Sequence, residues 1–216
     1  ITGTNGKTTC ATLLYDLYRL MGYKTGLIST VNIKILHNTI PSTHTTPNAI
    51  RINELLSQMV KDGCSHVFME VSSHALDQNR VSGLSFDIGV YTNISRDHMD
   101  YHPTLNDYIG AKKKLFNSLK NDAVAIVNLD DPYGEEMVRD IIAKPSSYGL
   151  KGDFDFKGKI VENNISGLSI EIDGFEMTSR LIGEFNAYNL LVVFAVAKSL
   201  GEEAITVLKI ISNLKA

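Results

Sequence analysis

The nine residues ITGTNGKTT at the start of the chain constrain its fold more than any other segment. A phosphate chain is held by inward-turned backbone N–H groups, a lysine that reaches the terminal phosphates and a hydroxyl that meets Mg²⁺. Gly3, Gly6, Lys7 and Thr8 supply those parts at suitable spacing and point to a nucleoside triphosphate site. The strict G-x-x-x-x-G-K-[ST] pattern would put glycine where this chain has Ile1, so the loop is a variant with Gly3 closer in. On its own such a variant also fits an ordinary strand-to-helix turn.

A loop of this kind needs a buried strand before it and a helix after it. Thr8 to Met21 has helical periodicity and Gly22 is its expected stop. TGLIST and VNIKIL read as strands, His37 to Thr46 as a long polar loop, and Asn48 to Lys61 as a helix capped by Thr46 with Pro47 at its first position. HVFMEV, IGVYTN and AVAIVN are short apolar runs of the kind that form buried parallel strands. Helical periodicity returns over Leu105 to Leu119 and over Pro132 to Ala143, the latter with Asp131 as expected N-cap. The βαβα alternation predicts a doubly wound, mainly parallel α/β sheet with its ligands beyond the carboxyl ends of the strands. Residues 153–182 change character and predict a small antiparallel sheet, with turns at Asn163-Asn164 and Asp173-Gly174, before helices over Asn189 to Leu200 and Ala204 to Leu214.

At 216 residues and 44% hydrophobic composition the chain can build one compact core. A net charge of −3 argues against a general nucleic-acid surface, which would show a broad basic excess. No run is long enough to span a membrane, and the first residues resemble neither a secretory signal nor a transit sequence, so a cytoplasmic, monomeric protein is expected. Cys10 and Cys64 lack metal-type spacing and read as small core fillers. Because Ile1 leaves no room for the strand that should precede the loop, and ISNLKA ends abruptly, further domains are expected on either side.

Four groups of residues fall at expected strand ends or in the loops beyond them. The first is the loop itself. In the second, MEVSSHALDQNR, Glu70 leaves a buried strand opposite the loop, where a carboxylate suits Mg²⁺; a plain surface Glu at a strand exit is the alternative. The third, TNISRDHMDYH, crowds Asn93, Asp97, His98, Asp100 and His102 into one loop with potential metal or phosphate contacts, although Asp97 or Asp100 fits a cap or turn equally well. The fourth is AKKKLF: Lys112, Lys113 and Lys114 point in different directions around a helix, so at most part of the run faces inward, and an exposed basic segment is the simpler reading.

TGTNGKTT, HTTP, MEVSSHAL with Arg80, TNISRDHMDYH, YIGAKKKLF and GEFNAYN occur in this order, and over nearly the whole chain the set resembles the Mur ligases. EVSSHAL resembles the branch that adds the third amino acid to UDP-N-acetylmuramoyl-dipeptide in peptidoglycan precursor synthesis. The resemblance implies a central ATP-binding domain, with a uridine-nucleotide domain before it and an amino-acid-binding domain after it. It implies that Gly3, Thr4, Asn5, Gly6, Lys7, Thr8 and Thr9 bind ATP phosphates, that Thr8 and Glu70 hold one Mg²⁺, and that His98 holds a second metal. Asn186 and Asn189 match positions near the adenine end of ATP, and helix-cap amides are the alternative for them. Lys112 matches a lysine that reacts with CO₂ to give a carbamate, turning a cation that would repel Mg²⁺ into an oxygen ligand. Thr45, Thr46, Ser72, Gln78 and Arg80 match contacts to the muramoyl-peptide; His44 stands where many members have Asn.

The implied reaction is ATP-dependent amide ligation. The γ-phosphate activates a substrate carboxylate as an acyl phosphate, and the amine of a free amino acid, diaminopimelate or lysine, displaces phosphate. Two anions must meet, so Mg²⁺, lysine and rigid positioning carry the catalysis. Lys7, Glu70, His98 and Lys112 are the expected catalytic set. Two rival classes remain: a P-loop kinase or NTPase, against which stands Glu70 in place of a Walker B aspartate, and a non-catalytic nucleotide-binding module.

Overall fold

A computed structural model describes residues 1–97 and 99–214; the candidate metal ligand His98 lies outside the described residues. In chain order the elements are α1 (Lys7–Leu20), β1 (Thr25–Ile28), β2 (Asn32–Ile35), β3 (Asn38–Pro41), α2 (Ala49–Lys61), β4 (His66–Met69), α3 (Ser73–Asp77), β5 (Ile88–Tyr91) and α4 (Leu105–Asn117). They continue with β6 (Val124–Asn128), α5 (Gly134–Val138), β7 (Lys144–Gly149), β8 (Phe156–Asn164), β9 (Gly167–Ile172), β10 (Phe175–Ser179), α6 (Glu184–Ser199) and α7 (Ala204–Ile211).

The strands lie in the orders β3-β2-β1-β4 and β10-β9-β8-β7-β6-β5. Ile1 and Thr2 join the two sheets. The Ile1 nitrogen donates to the Met69 carbonyl and Val71 N–H to that of Ile1 (both 2.8 Å) on one side. On the other, Thr2 N–H donates to Val90 (2.8 Å) and Thr92 N–H to Thr2 (3.0 Å). This is parallel bonding to both neighbours. Together with the parallel pairs β1·β4, β5·β6, β6·β7 and β7·β8, it delivers the loop from Gly3 onward to the carboxyl edge of the sheet.

Alternate residues of the central strands enter two separate cores, as the two-residue period of a strand requires. Leu27, Phe68, Val90 and Ile126 pack with α1, α6 and α7, whereas Ile28, Met69, Tyr91 and Val127 pack with α2, α3 and α4. Helix α6 is apolar nearly all round because it is covered nearly all round: every residue from Asn189 to Ala197 is buried.

The mainly parallel α/β sheet is therefore as expected, with local corrections. His37 to Thr46 is not one loop: Asn38–Pro41 pairs antiparallel with Asn32–Ile35. It is an exposed edge strand, so it carries no alternating apolar pattern to read. Helix α2 is capped by Asn48, whose side chain accepts from Arg51 N–H (2.9 Å), and not by Thr46, whose hydroxyl is used elsewhere. The helix expected over Pro132 to Ala143 is only Gly134–Val138; Asp140 turns to φ 61° and the chain enters β7, a strand hidden in the sequence by Pro145. Asp131 does not cap α5; Tyr133 takes that position, and the Asp131 carboxylate instead accepts from Tyr91 Oη–H, Ile94 N–H and Tyr133 N–H (2.7, 3.1 and 3.0 Å). β8, β9 and β10 are antiparallel as expected, and β8 continues the main sheet through Tyr148↔Phe156 and Gly149↔Lys157. The first of their turns lies at residues 165–166, because Asn163 and Asn164 still pair with Leu168 and Gly167; the second is at Asp173-Gly174, where φ is 53° and 78°.

Candidate active site

The loop between Thr2 and α1 depends on two glycines. Gly3 lies at φ 151°, and a Cβ there would collide with Thr92 Oγ1; Gly6, at φ 86°, precedes the first turn of α1, and its Cβ would sit 2.6 Å from Asn189 Oδ1. The segment after β5 braces the loop from outside. Thr4 N–H donates to Asn93 O (2.8 Å), Asn5 N–H to Asn93 Oδ1 (3.0 Å), and both Thr92 Oγ1 and Asn93 Nδ2 donate to Asn5 O (2.6 and 3.2 Å). Asn186 and Asn189 brace it from α6: Asn189 Nδ2 donates to Asn186 Oδ1 (3.0 Å), Asn186 Nδ2 to Ile182 O (2.8 Å), and Cys10 Sγ to Asn189 Oδ1 (3.3 Å). Burial pushes the Cys10 thiol up to about 12, so it is the inert core filler expected.

Lys7 folds back on its own loop and donates to Gly3 O (2.9 Å) and Thr4 O (2.7 Å). Burial lowers its pKa, against the opposing pull of Glu70 and Asp97. Glu70 is fully buried. Its carboxylate accepts from Thr8 Oγ1 (3.0 Å), Thr30 N–H (2.8 Å) and Thr30 Oγ1 (3.1 Å), and it has no ion-pair partner within 4 Å among the described residues. A buried anion ringed by hydroxyls, with no side-chain cation paired to it, suits a hard divalent ion. Among the described residues no cluster of three or more His, Cys, Asp and Glu forms a cage, so Mg²⁺ held here would complete its shell with phosphate and water.

The lysine run separates as helical geometry requires. Lys113 pairs with Glu136 and Lys114 with Asp77 (both 2.8 Å), while Lys112 turns inward, 1% exposed. Lys112 Nζ donates to Gly3 O (2.8 Å), the same carbonyl that Lys7 uses, and lies 4.3 Å above the Tyr108 ring. Burial, followed by repulsion from Lys7, lowers its pKa to about 6. The amine is then largely uncharged at neutral pH, the state in which nitrogen is nucleophilic toward CO₂, so Lys112 fits the carbamate chemistry.

Beyond Glu70 lies a hydroxyl-rich pocket of about 420 Å³, lined by Thr30, Thr45, Thr46, Ser72, His44 and Arg80 among others. Thr46 Oγ1 donates to Glu70 O (2.9 Å) and accepts from Ser72 N–H (3.0 Å), and Thr30 Oγ1 also reaches Thr45 Oγ1 (3.1 Å). Arg80 donates from Nη1 to Thr46 O (2.8 Å) and from Nε and Nη2 to Gln78 Oε1 (2.9 and 2.6 Å). On the other side of the loop a second pocket, about 680 Å³, is bounded by Asn5, Gly6, Thr9, Asp130, Lys151 and Tyr188 among others.

Lys7, Thr8, Glu70 and Lys112 thus converge, with Asn186 and Asn189 on one flank and Thr45, Thr46, Ser72, Gln78 and Arg80 on the other. The third group is only partly recruited: Asn93 holds the loop, Asp100 is exposed in a turn, and the buried His102 ring packs between Tyr101 and Tyr108 (centroids 4.8 and 5.2 Å). Neither Asp97 nor Asp100 caps α4; Thr104 does, in a reciprocal box with Asp107. Sequence reasoning missed Thr30, which supplies two of the Glu70 contacts, Tyr108 and Asp130. Thr30 lies two residues past β1 and Asp130 two past β6, a strand-exit position that was a readable signal; Tyr108, inside α4, carried none.

The order of the parallel strands and the glycine loop feeding α1 define an α/β domain of the phosphate-loop class. Residues 1–197 match the Mur ligase middle domain, and the chain belongs to that family. It is 51% identical over its whole length to a UDP-N-acetylmuramoyl-L-alanyl-D-glutamate–2,6-diaminopimelate ligase of Cytophaga hutchinsonii, and 38% identical over 99% of its length to the ligase of that name in Bacillus cereus. It spans 44% and 46% of those relatives. A solved structure of a ligase of that name superposes on 99% of the chain with a TM-score of 0.89 at 32% identity, the chain covering 45% of it. MurF from Acinetobacter baumannii shares the fold, with a TM-score of 0.77 at 16% identity over 99% of this chain and 45% of its own.

Proposed function

We propose that this chain is the ATP-binding part of a ligase that joins an amino acid to UDP-N-acetylmuramoyl-L-alanyl-D-glutamate, with 2,6-diaminopimelate, named in its relatives, as the incoming amine. The observation that carries this is that one buried residue, Glu70, bonds both the phosphate loop and the hydroxyl-rich pocket. Glu70 receives Thr8 from the phosphate loop on one side, and its backbone carbonyl receives Thr46 from the hydroxyl pocket on the other. A triphosphate on the loop and a carboxylate in the hydroxyl pocket would meet beside one buried anion.

Lys7 and the amides of Gly3 to Thr9 would bind the phosphates, with Asn186 and Asn189 shaping the nucleoside side. Thr8 and Glu70 would hold one Mg²⁺ and His98 a second, with Lys112 as its carbamate a further oxygen ligand; the metal supplies charge neutralisation between the two anions. Thr45, Thr46 and Ser72 offer hydroxyls, and Arg80 a guanidinium, to the acidic substrate. This chain's residues align carboxylate and γ-phosphate for an acyl phosphate, which an amine then opens. A reaction that consumes ATP and a uridine nucleotide precursor would run in the cytoplasm. Among the described residues no helix is long and apolar enough to cross a membrane.

Phosphate release by the full-length protein tests the reading. ADP and amide should appear together, and only when ATP, the UDP-muramoyl-dipeptide and diaminopimelate are all present. Turnover of ATP with an alcohol acceptor and no amide would mark a kinase instead.

A further inference from the structure

The guanidinium of Arg80 is aimed by a chain of hydrogen bonds that leads away from the hydroxyl pocket. Gln78 Oε1 accepts from Arg80 Nε and Nη2, Gln78 Nε2 donates to Tyr101 Oη (3.1 Å), Tyr101 Oη–H donates to Asp77 Oδ2 (3.1 Å), and Asp77 Oδ1 accepts from Lys114 Nζ (2.8 Å). Each link has one possible direction. The hydrogen bonds from Lys114 and Tyr101 hold the Asp77 carboxyl below its usual range, so it is an acceptor. Tyr101, with one hydrogen, must donate to it and can only accept from Gln78. That fixes the Gln78 amide with its oxygen toward Arg80, the only orientation a donor-only guanidinium tolerates. The Tyr101 ring is itself held by His74, at 4.0 Å between centroids.

We propose that Tyr101 is a positioning residue that orients the Gln78 amide and through it aims Arg80 at the acidic substrate. This rests on the ligase reading above, in which Arg80 faces the muramoyl-dipeptide. Without the phenol oxygen the Gln78 amide loses the partner of its nitrogen, and only its bonds to Arg80 remain to hold the pair in place.

The test is Tyr101→Phe in the full-length protein, assayed with each substrate varied in turn. The KM for UDP-N-acetylmuramoyl-dipeptide is expected to rise about threefold to tenfold, the size of one lost neutral hydrogen bond, while the KM for ATP, kcat at saturation and Tm hold. An unchanged KM for the muramoyl-peptide in Tyr101→Phe overturns the proposal. So does a rise matched in the KM for ATP, which would mark a structural role. Wild-type protein that makes no amide from this substrate would overturn the ligase reading itself, a result separable from the others because it needs no variant.

Discussion

Lys112 and Gly6 concentrate the chemistry of this site into two residues. A lysine whose folded pKa is depressed to about 6 leaves the unfolded chain holding the extra proton between that value and its ordinary 10.5. Stability therefore rises with pH across that window and is lowest toward its acid end. In CO₂-free buffer, urea unfolding of this chain should show a stability gain from pH 6 to 8 of about 1 kcal/mol per unit relative to Lys112→Met, in which the lysine's contribution is absent. A parallel pH dependence in both proteins would show that Lys112 is not held neutral. Gly6→Ala places a methyl group 2.6 Å from Asn189 Oδ1 at φ 86°, and calorimetry should find MgATP affinity reduced about tenfold or more with the circular dichroism spectrum retained. Much of this was legible in the sequence once the glycine turn, the lysine after it and the carboxylate at a strand end were read together, although each alone also fitted a plain structural role. What Lys112 does was not legible from composition: three adjacent lysines look solvated, and only the packing of α4 on the loop shows which one is buried.

At the scale of elements, the segment between β5 and α4 acts as a brace. Asn93 and Thr92 hold Thr4 and Asn5, and the segment is in turn bolted to the end of β6 through Asp131, which takes Tyr91 Oη–H and Ile94 N–H. Asp131→Ala leaves both donors unpaired in a partly buried place and should cost about 2 kcal/mol or more in urea unfolding. It should also weaken MgATP binding, because the brace loosens with it. Unchanged affinity at reduced stability would separate the brace from the loop. Among the elements that sequence pattern identified, α1, α2, α4, β4, β5 and β6 have burial that is one-sided or complete. Those it misjudged have neither property. β3 is an exposed edge strand, β7 contains a proline, and α5 stops after one turn although apolar residues continue at helical spacing, because Ile142 there is exposed and Ala143 already belongs to the approach to the sheet.

For the molecule as a whole, the two pockets flanking the loop decide what these residues can do alone. Binding a nucleotide needs the loop, Lys7 and Glu70, all of which rest on contacts within the described residues. Making an amide needs more. The incoming amine must be held against the activated carboxylate and water kept away, or the acyl phosphate hydrolyses. The rim of the pocket beside Asn5 and Gly6 carries Phe185, 68% exposed, and the hydroxyl pocket is bordered by the exposed residues Thr43 and His44, so both openings face outward. The chain also spans less than half of the relatives it matches. Residues 1–216 alone should therefore bind MgATP weakly, with an affinity that Lys7→Ala abolishes in calorimetry, yet yield no amide with UDP-muramoyl-dipeptide and diaminopimelate. Ligation by this chain alone would show that these residues need no further cover. Equal affinity in Lys7→Ala would remove the loop from nucleotide binding altogether.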